Sequence, residues 1–464
     1  MRGHSGWNYA PYQPLVWDGG DIYVCRLAPG KDFITMEWLP VDGEGEYAVC
    51  LRERGSDAAF ENVGTTAETQ YTVSGLRDAT DYEFYVEKAG KRSRVRLART
   101  GEAVGTVVNY LHPEDEVYSF SGRALCSPSL LRCPDGSLLA SMDVYAGREP
   151  QNLSLVFRSV DEGKTWRYVT DLFPCFWGKL FEHKGKVYML ACSQEYGDLL
   201  IGCSEDNGNT FSTPVVLLRG ACHCDRPGVH KNPQNIVHYK GRIWETLEWG
   251  CWAGGVCHDA MVMSCDEDAD LMVPENWSFT PPLDYDPNWP GVAKGESAGC
   301  IEGTLVVFPD GNLYNVMRYD CGRCEPSYGL VLGYKVNADD PDAPIEYDHA
   351  IRFPANHSKF QIKKDEVTGK YLSICSRITS HELRGARTLV SLMKSDDCEN
   401  WEVVCDLIDR RDCDPQAVGF QYMDFHIEGE DILWLCRTAM NKAANFHDAN
   451  YSTFHRIAGF RELL

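Results

Sequence analysis

The sequence predicts an all-β chain of two units, a small β-sandwich over residues 12–102 and a six-bladed β-propeller over residues 105–464. Three observations carry this reading. Helical periodicity is almost absent, and short alternating apolar runs are bounded by Gly, Asp, Asn and Pro instead. A block of strand, glycine turn, strand, polar loop and strand recurs from Gly105 onward. Finally, a turn of the form S-x-D-x-G-x-T followed by an aromatic residue occurs twice, at the same place in successive blocks.

The first unit opens with "FITMEWLP", which places Trp38 on an early strand, and "EYAVCLRERG" alternates behind it. In "VSGLRDATDYEFYVEKAG", Leu76, Thr80, Tyr82, Phe84 and Val86 are spaced as in a fibronectin type III module, which the unit resembles. The resemblance implies that Tyr82 makes a tyrosine corner and that Trp38 fills the core. No nucleophile or metal constellation stands out here, so this unit is expected to space, dock or oligomerise.

The repeats follow in order. They begin at "SPSLLRCPDGSLLASMDVY", "WGKLFEHKGKVYMLACSQ", "NPQNIVHYKGRIWETLEW", "IEGTLVVFPDGNLYNVMRYD", "SKFQIKKDEVTGKYLSICSR" and "FQYMDFHIEGEDILWLCRTAM". The last has only three strands, and "GTVVNYL" ahead of the first repeat is the spare strand expected to complete it. Closure of that kind leaves no free sheet edge.

Ser159-Val-Asp161-Glu-Gly163-Lys-Thr165-Trp166 and Ser204-Glu-Asp206-Asn-Gly208-Asn-Thr210-Phe211 look like the Asp box, with a shortened copy at Ser395, Asp397 and Trp401. Within this repeat they make the second unit similar to the sialidase-like propellers. The boxes are structural: Asp folds back on turn amides and Gly takes the left-handed position.

The resemblance implies an active site at one mouth of the ring. Its sharpest match is "EGTLVVFPDGNLYNVMR", where Glu302 and Arg318 reproduce the family's Glu, apolar strand, "DG" turn and Arg. In that family the Glu activates a tyrosine nucleophile, and the Arg is one of three that clamp a substrate carboxylate by bidentate pairing. Arg377 and Arg123 are the expected further clamp members. Asp143 or Glu149 is the expected general acid, and Tyr422 the expected nucleophile, although an ungapped alignment puts Gln421 at the matching position. Asp424 is a further catalytic candidate. Trp177, Lys179, His230, Asn232, Gln234, His357, Lys359 and Arg437 are the expected substrate-binding residues, and Glu195, Glu248, Arg387 and His447 fall at comparable positions. The family's first-blade "F-R-I-P" motif is missing, because Arg123 lies five residues before Pro128 in "SGRALCSPSLL".

Composition bounds the partners. With 45 basic and 68 acidic residues the formal net charge is −23, which argues against nucleic acid but not against an anionic small substrate. No apolar run approaches the ~20 residues of a membrane span. The first residues lack a basic start and apolar stretch, so a cytoplasmic location is expected unless a leader has been removed. The 20 cysteines are expected to be mostly buried and reduced. Cys222-His-Cys224, Cys251, Cys257-His258 and Cys321-Gly-Arg-Cys324 have thiols and imidazoles that suit zinc, but no standard zinc spacing, and no metal or cofactor is expected.

Three functions stay open. The leading one is an exo-acting glycoside hydrolase that removes a terminal acidic sugar, uronic or sialic-acid-like, from an oligosaccharide. A propeller lyase acting on uronates would use His230 or His357 with Tyr422. A non-catalytic carbohydrate-binding protein is the third.

Overall fold

A computed structural model describes residue 7 and residues 20–147, 150–221, 225–255 and 257–464. Its order is almost entirely β, and no helix among the described residues is long and apolar enough to cross a membrane.

In the N-terminal region Val24–Pro29, Phe33–Trp38 and Gln70–Ser74 form one antiparallel sheet. Facing it is a second sheet built on Tyr47–Glu53, Glu61–Thr66 and Asp81–Lys88. Along Asp81–Lys88 every second residue (Tyr82, Phe84, Val86) is buried, the period-two signature of a strand with one face on a core. Trp38, Val49 and Phe84 share that core. The Tyr82 hydroxyl accepts a hydrogen bond from the Arg77 amide at 3.0 Å, fixing the corner before its strand.

This sandwich is fastened to the rest of the chain by polar groups. Buried Arg26 donates from Nε to the Val108 carbonyl at 2.7 Å, and the Leu27 amide donates to Asn109 Oδ1. Arg96 pairs with Asp115 at 2.7 Å, both buried.

From Ala124 onward the described strands form six antiparallel sheets of four or five strands, besides a two-stranded one of Lys294–Gly295 and Cys324–Glu325. The first is Ala124–Arg132, Leu138–Tyr145, Leu153–Ser159 and Arg167–Leu172. In the third, Gly228–His230 and Val237–Tyr239 both pair with Arg242–Gly250. The sixth comprises Gly419–Glu428, Asp431–Ala439 and Tyr451–Ile457, and its fourth strand is Thr106–Tyr110 from ahead of the first sheet. The spare strand therefore pairs where the repeat pattern puts it.

The S-x-D turns have the local bonding their residues dictate. Ser159 Oγ accepts from the Gly163 amide at 2.8 Å and Asp161 from the Thr165 amide at 2.9 Å, while Trp166 is buried. Ser204, Asp206, Gly208 and Thr210 repeat this pattern. In the shortened third turn Cys398, with φ of 64°, takes the left-handed position that Gly163 and Gly208 take in the others. Trp7 was outside any predicted element, yet its indole is buried against the second sheet and donates to the Pro174 carbonyl at 2.8 Å. Gly202 makes room for it, since a Cβ there would come within 2.4 Å of the indole.

Candidate active site

Four of the six sheets carry the same irregularity in their first strand. Pairing slips by one residue between Cys126 and Ser129, Phe176 and Lys179, Ile301 and Gly303, and Gln421 and Asp424. Inside each slip lies one residue with left-handed backbone, namely Ser127, Trp177, Glu302 and Tyr422, with φ of 47°, 54°, 58° and 59°. A bulge of this kind re-aims one side chain and costs backbone strain of about 1–3 kcal/mol, which persists only where the surroundings enforce it.

Two of these bulges bring a tyrosine and a glutamate together. The Tyr422 hydroxyl donates a short hydrogen bond to Glu302 Oε1. Arg318 Nη1 holds the other carboxylate oxygen, lies 3.4 Å from the Tyr422 oxygen, and is itself bound by Asp320 at 3.0 Å. Burial raises the Glu302 pKa, but Arg318, His230 and Tyr422 outweigh it and hold the group below the ordinary value. Burial and the neighbouring Glu302 charge push the Tyr422 phenol up. The pair is therefore a protonated phenol beside an ionised base.

Two more guanidiniums flank Tyr422. Arg387 lies 6.0 Å and Arg437 5.2 Å from its ring centre. Both are buried, and among the described residues neither has a carboxylate partner. Arg387 donates to the His357 carbonyl at 3.1 Å and leaves Nη1 without a partner; Arg437 donates to the His447 carbonyl and leaves Nε without one. Burial, with repulsion from Arg318 and Arg437, lowers the Arg387 pKa to about 10. Burial and Arg437 lower His447 to about 4, so its ring adds no charge at neutral pH.

One side of this cluster is aromatic. The His230 ring packs edge-on against Trp177 at 4.3 Å and lies 6.0 Å from Trp252. Its Nδ1 is 2.6 Å from Glu248, whose other oxygen accepts the Gly303 amide beside Glu302. Glu195 receives Trp252 Nε1 on one oxygen and Gln151 Nε2 at 2.9 Å on the other, and burial raises its pKa.

A second layer of charge is neutralised internally. Lys179 pairs with Asp424 at 2.7 Å, and Asp424 also accepts the Leu130 amide and Gln361 Nε2. Lys231 pairs with Glu245 at 3.1 Å. Lys359 donates to the Met423 carbonyl, and burial lowers its pKa to about 7.

The expected site residues divide accordingly. Glu302, Arg318, Tyr422 and Arg437 come together around one point, with His230 and Trp177 forming the adjacent wall. Arg377 does not: it donates to Ser391 and Asp406 away from Tyr422, and Arg387, ten residues on, stands in its place. Arg123 is also outside, about half exposed and paired with Glu116. Asp424 and Lys179 are sealed in an ion pair, and buried Lys359 turns its ammonium to the Met423 carbonyl. Asn232 and Gln234 are fully buried, with Gln234 donating to the Phe360 carbonyl at 2.9 Å. His357 contributes its backbone carbonyl to Arg387 rather than its ring. Asp143 is buried behind Trp177, whose amide it accepts at 2.7 Å, and burial lifts its pKa to about 7. Glu149 and the Cys222-His-Cys224 segment lie outside the described residues. Among the described residues no group of His, Cys, Asp and Glu is placed to hold a metal ion.

Trp252 escaped sequence reading altogether. It sits on a single 3-10 turn, and no local pattern marks a tryptophan that packs over a histidine from another strand. Arg387 had a signal, since it immediately precedes the run "TLVSLMKS" at the same mouth, but so did several other polar residues.

No family model matches the chain, and no curated protein matches it. Solved structures do resemble it in fold. An α-L-arabinanase of Penicillium chrysogenum, complexed with arabinobiose, is 13% identical at a TM-score of 0.53, covering 78% of this chain and 99% of its own. The Hadza microbial sialidase Hz136 is 13% identical at a TM-score of 0.51, covering 96% and 95%. A leech intramolecular trans-sialidase, complexed with 2,7-anhydro-Neu5Ac, is 10% identical at a TM-score of 0.50, covering 94% and 91%. The chain has a nearly all-β fold similar to these glycosidases.

Proposed function

We propose that this protein is an exo-acting glycoside hydrolase that removes a terminal acidic sugar, uronic or sialic-acid-like, from an oligosaccharide. The observation that carries the reading is a tyrosine hydrogen-bonded to an ionised glutamate beneath three guanidiniums, two of which have no carboxylate partner among the described residues. A buried, uncompensated cation is costly, and a substrate carboxylate would relieve that cost through bidentate hydrogen bonds. The fold likeness to an arabinanase, a sialidase and an intramolecular trans-sialidase supports action on glycosidic bonds. The arginines favour the acidic sugar over a neutral one.

In this reading Tyr422 attacks the anomeric carbon while Glu302 takes its proton, and water then releases the sugar with retained configuration. Arg318 has two roles, since it orients Glu302 and contributes to the carboxylate clamp. The six sheets are read as six blades of one propeller, and the N-terminal sandwich as a fibronectin type III-like module. The Tyr82 bond to Arg77 supports the second assignment.

The test is turnover of oligosaccharides ending in sialic, glucuronic, galacturonic and neutral sugars by wild type, Glu302→Gln and Tyr422→Phe. Cleavage of an acidic terminus by wild type only is expected. Turnover confined to neutral termini would remove the clamp, and an active Tyr422→Phe enzyme would remove the nucleophile. A product absorbing near the ultraviolet edge would point to a lyase instead.

A further inference from the structure

Glycosidic bond cleavage needs a proton for the leaving oxygen, and two described carboxylates near the site, Asp143 and Glu195, are both engaged elsewhere. Asp143 spends its carboxylate on Ser154 and on the Trp177 amide. Glu195 accepts a donor on each oxygen, from Trp252 and Gln151, and is thereby occupied in orienting the Trp252 ring.

His230 is differently arranged. Its Nδ1 faces Glu248 at 2.6 Å, and Glu248 is pinned in turn by the Gly303 amide at 3.0 Å. A carboxylate on Nδ1 fixes the ring orientation and stabilises the imidazolium. Nε2 keeps no hydrogen-bond partner among the described residues. The ring is held by Trp177 and His258, at 4.3 and 4.8 Å, and is buried to about the same degree as Glu302. Glu248 ties His230 to the Gly303 amide next to Glu302, and the ring lies 6.0 Å from Trp252, so it stands between the nucleophilic pair and the Trp252 wall.

From this geometry we infer that His230 is the residue that protonates the leaving-group oxygen, with Glu248 as its positioning residue. The inference rests on the hydrolase reading above. As the Tyr422 oxygen bonds to the anomeric carbon, the phenolic proton passes to Glu302. The bond from that carbon to the leaving oxygen breaks, and the oxygen takes the proton from Nε2. In the second step water attacks the same carbon and gives a proton to Nε2, and Tyr422 departs with the proton held by Glu302. The sum is addition of one water across the glycosidic bond. The Trp177 and Trp252 faces then border the departing sugar, where aromatic rings stack on its apolar face.

Leaving-group dependence tests this. Wild type, His230→Gln, Glu248→Gln and Glu195→Gln are assayed on the 4-nitrophenyl and methyl glycosides of N-acetylneuraminic acid and of glucuronic acid. A nitrophenolate leaves without a proton, whereas methanol requires one. His230→Gln is expected to lose about 100- to 1000-fold in kcat/KM on the methyl glycoside and less than about ten-fold on the nitrophenyl one. Glu248→Gln is expected to show the same selectivity, more weakly. The ratio between two substrates in one variant is insensitive to the folded fraction, so a folding defect cannot imitate the result. Equal losses on both substrates, or selective loss in Glu195→Gln instead, would overturn the inference and leave the hydrolase reading intact. Absence of turnover of every glycoside by wild type would overturn both.

Discussion

Two layers of buried charge meet at the centre of the molecule, and the protein neutralises only one of them. Lys179 and Lys231 each have a carboxylate partner, Asp424 and Glu245, with every one of these four groups fully buried. Arg387 and Arg437 are nearly as buried and have none among the described residues. The same composition therefore serves opposite ends. A paired layer braces neighbouring first strands, while in the proposed function the unpaired layer is what a substrate carboxylate would complete.

That contrast can be broken by substitution. The largest effect belongs to the reacting pair: Tyr422→Phe or Glu302→Gln is expected to lower kcat by about 10³–10⁴ on the preferred glycoside while leaving the urea midpoint close to that of wild type. Lys179→Met comes next, costing about 3–5 kcal/mol of stability by denaturant unfolding, because Asp424 is left buried and unpaired. Arg387→Met should do the reverse. Stability is expected to stay level or rise by about 1 kcal/mol, while KM for an acidic glycoside rises about a hundred-fold. If Arg387→Met and Lys179→Met destabilise alike, the distinction between the layers fails.

Asp143 tests the same logic through pH. Its folded pKa of about 7 lies above the ordinary carboxyl value because of burial. A raised acid contributes stability that is complete below the unfolded pKa and lost as pH climbs through the folded one. Wild type is therefore expected to lose about 2–4 kcal/mol between pH ~4 and ~7 through this group. Asp143→Asn should flatten that part of the profile, measured by unfolding at several pH values. The smallest net effect is at the shortened turn: in Cys398→Gly, relief of the left-handed strain and loss of a buried thiol oppose each other, so the unfolding free energy should change by no more than about 1 kcal/mol.

Much of the fold was legible in the sequence because its determinants are local. The S-x-D turns close on their own amides, and a blade's strands are joined by short turns such as Pro309-Asp310-Gly311, so pairing partners lie close in the chain. Glu302 and Arg318 could be paired for the same reason, as ends of one hairpin. Tyr422 was legible as a candidate, but its facing was ambiguous. The bulge between Gln421 and Asp424 inserts a residue that an ungapped alignment cannot see, and a one-residue slip turns the opposite side chain inward.

By itself, the sequence determined the all-β character, the repeat, the turns and the Glu302–Arg318 hairpin, each set by contacts within a few tens of residues. Only the tertiary structure decided which cations are spent on carboxylates and which stay unpaired. Lys179 and Asp424 are 245 residues apart, and Tyr422 meets Glu302 across 120. Charge pairing at such separations depends on how sheets converge on a common centre, and no local pattern encodes that convergence.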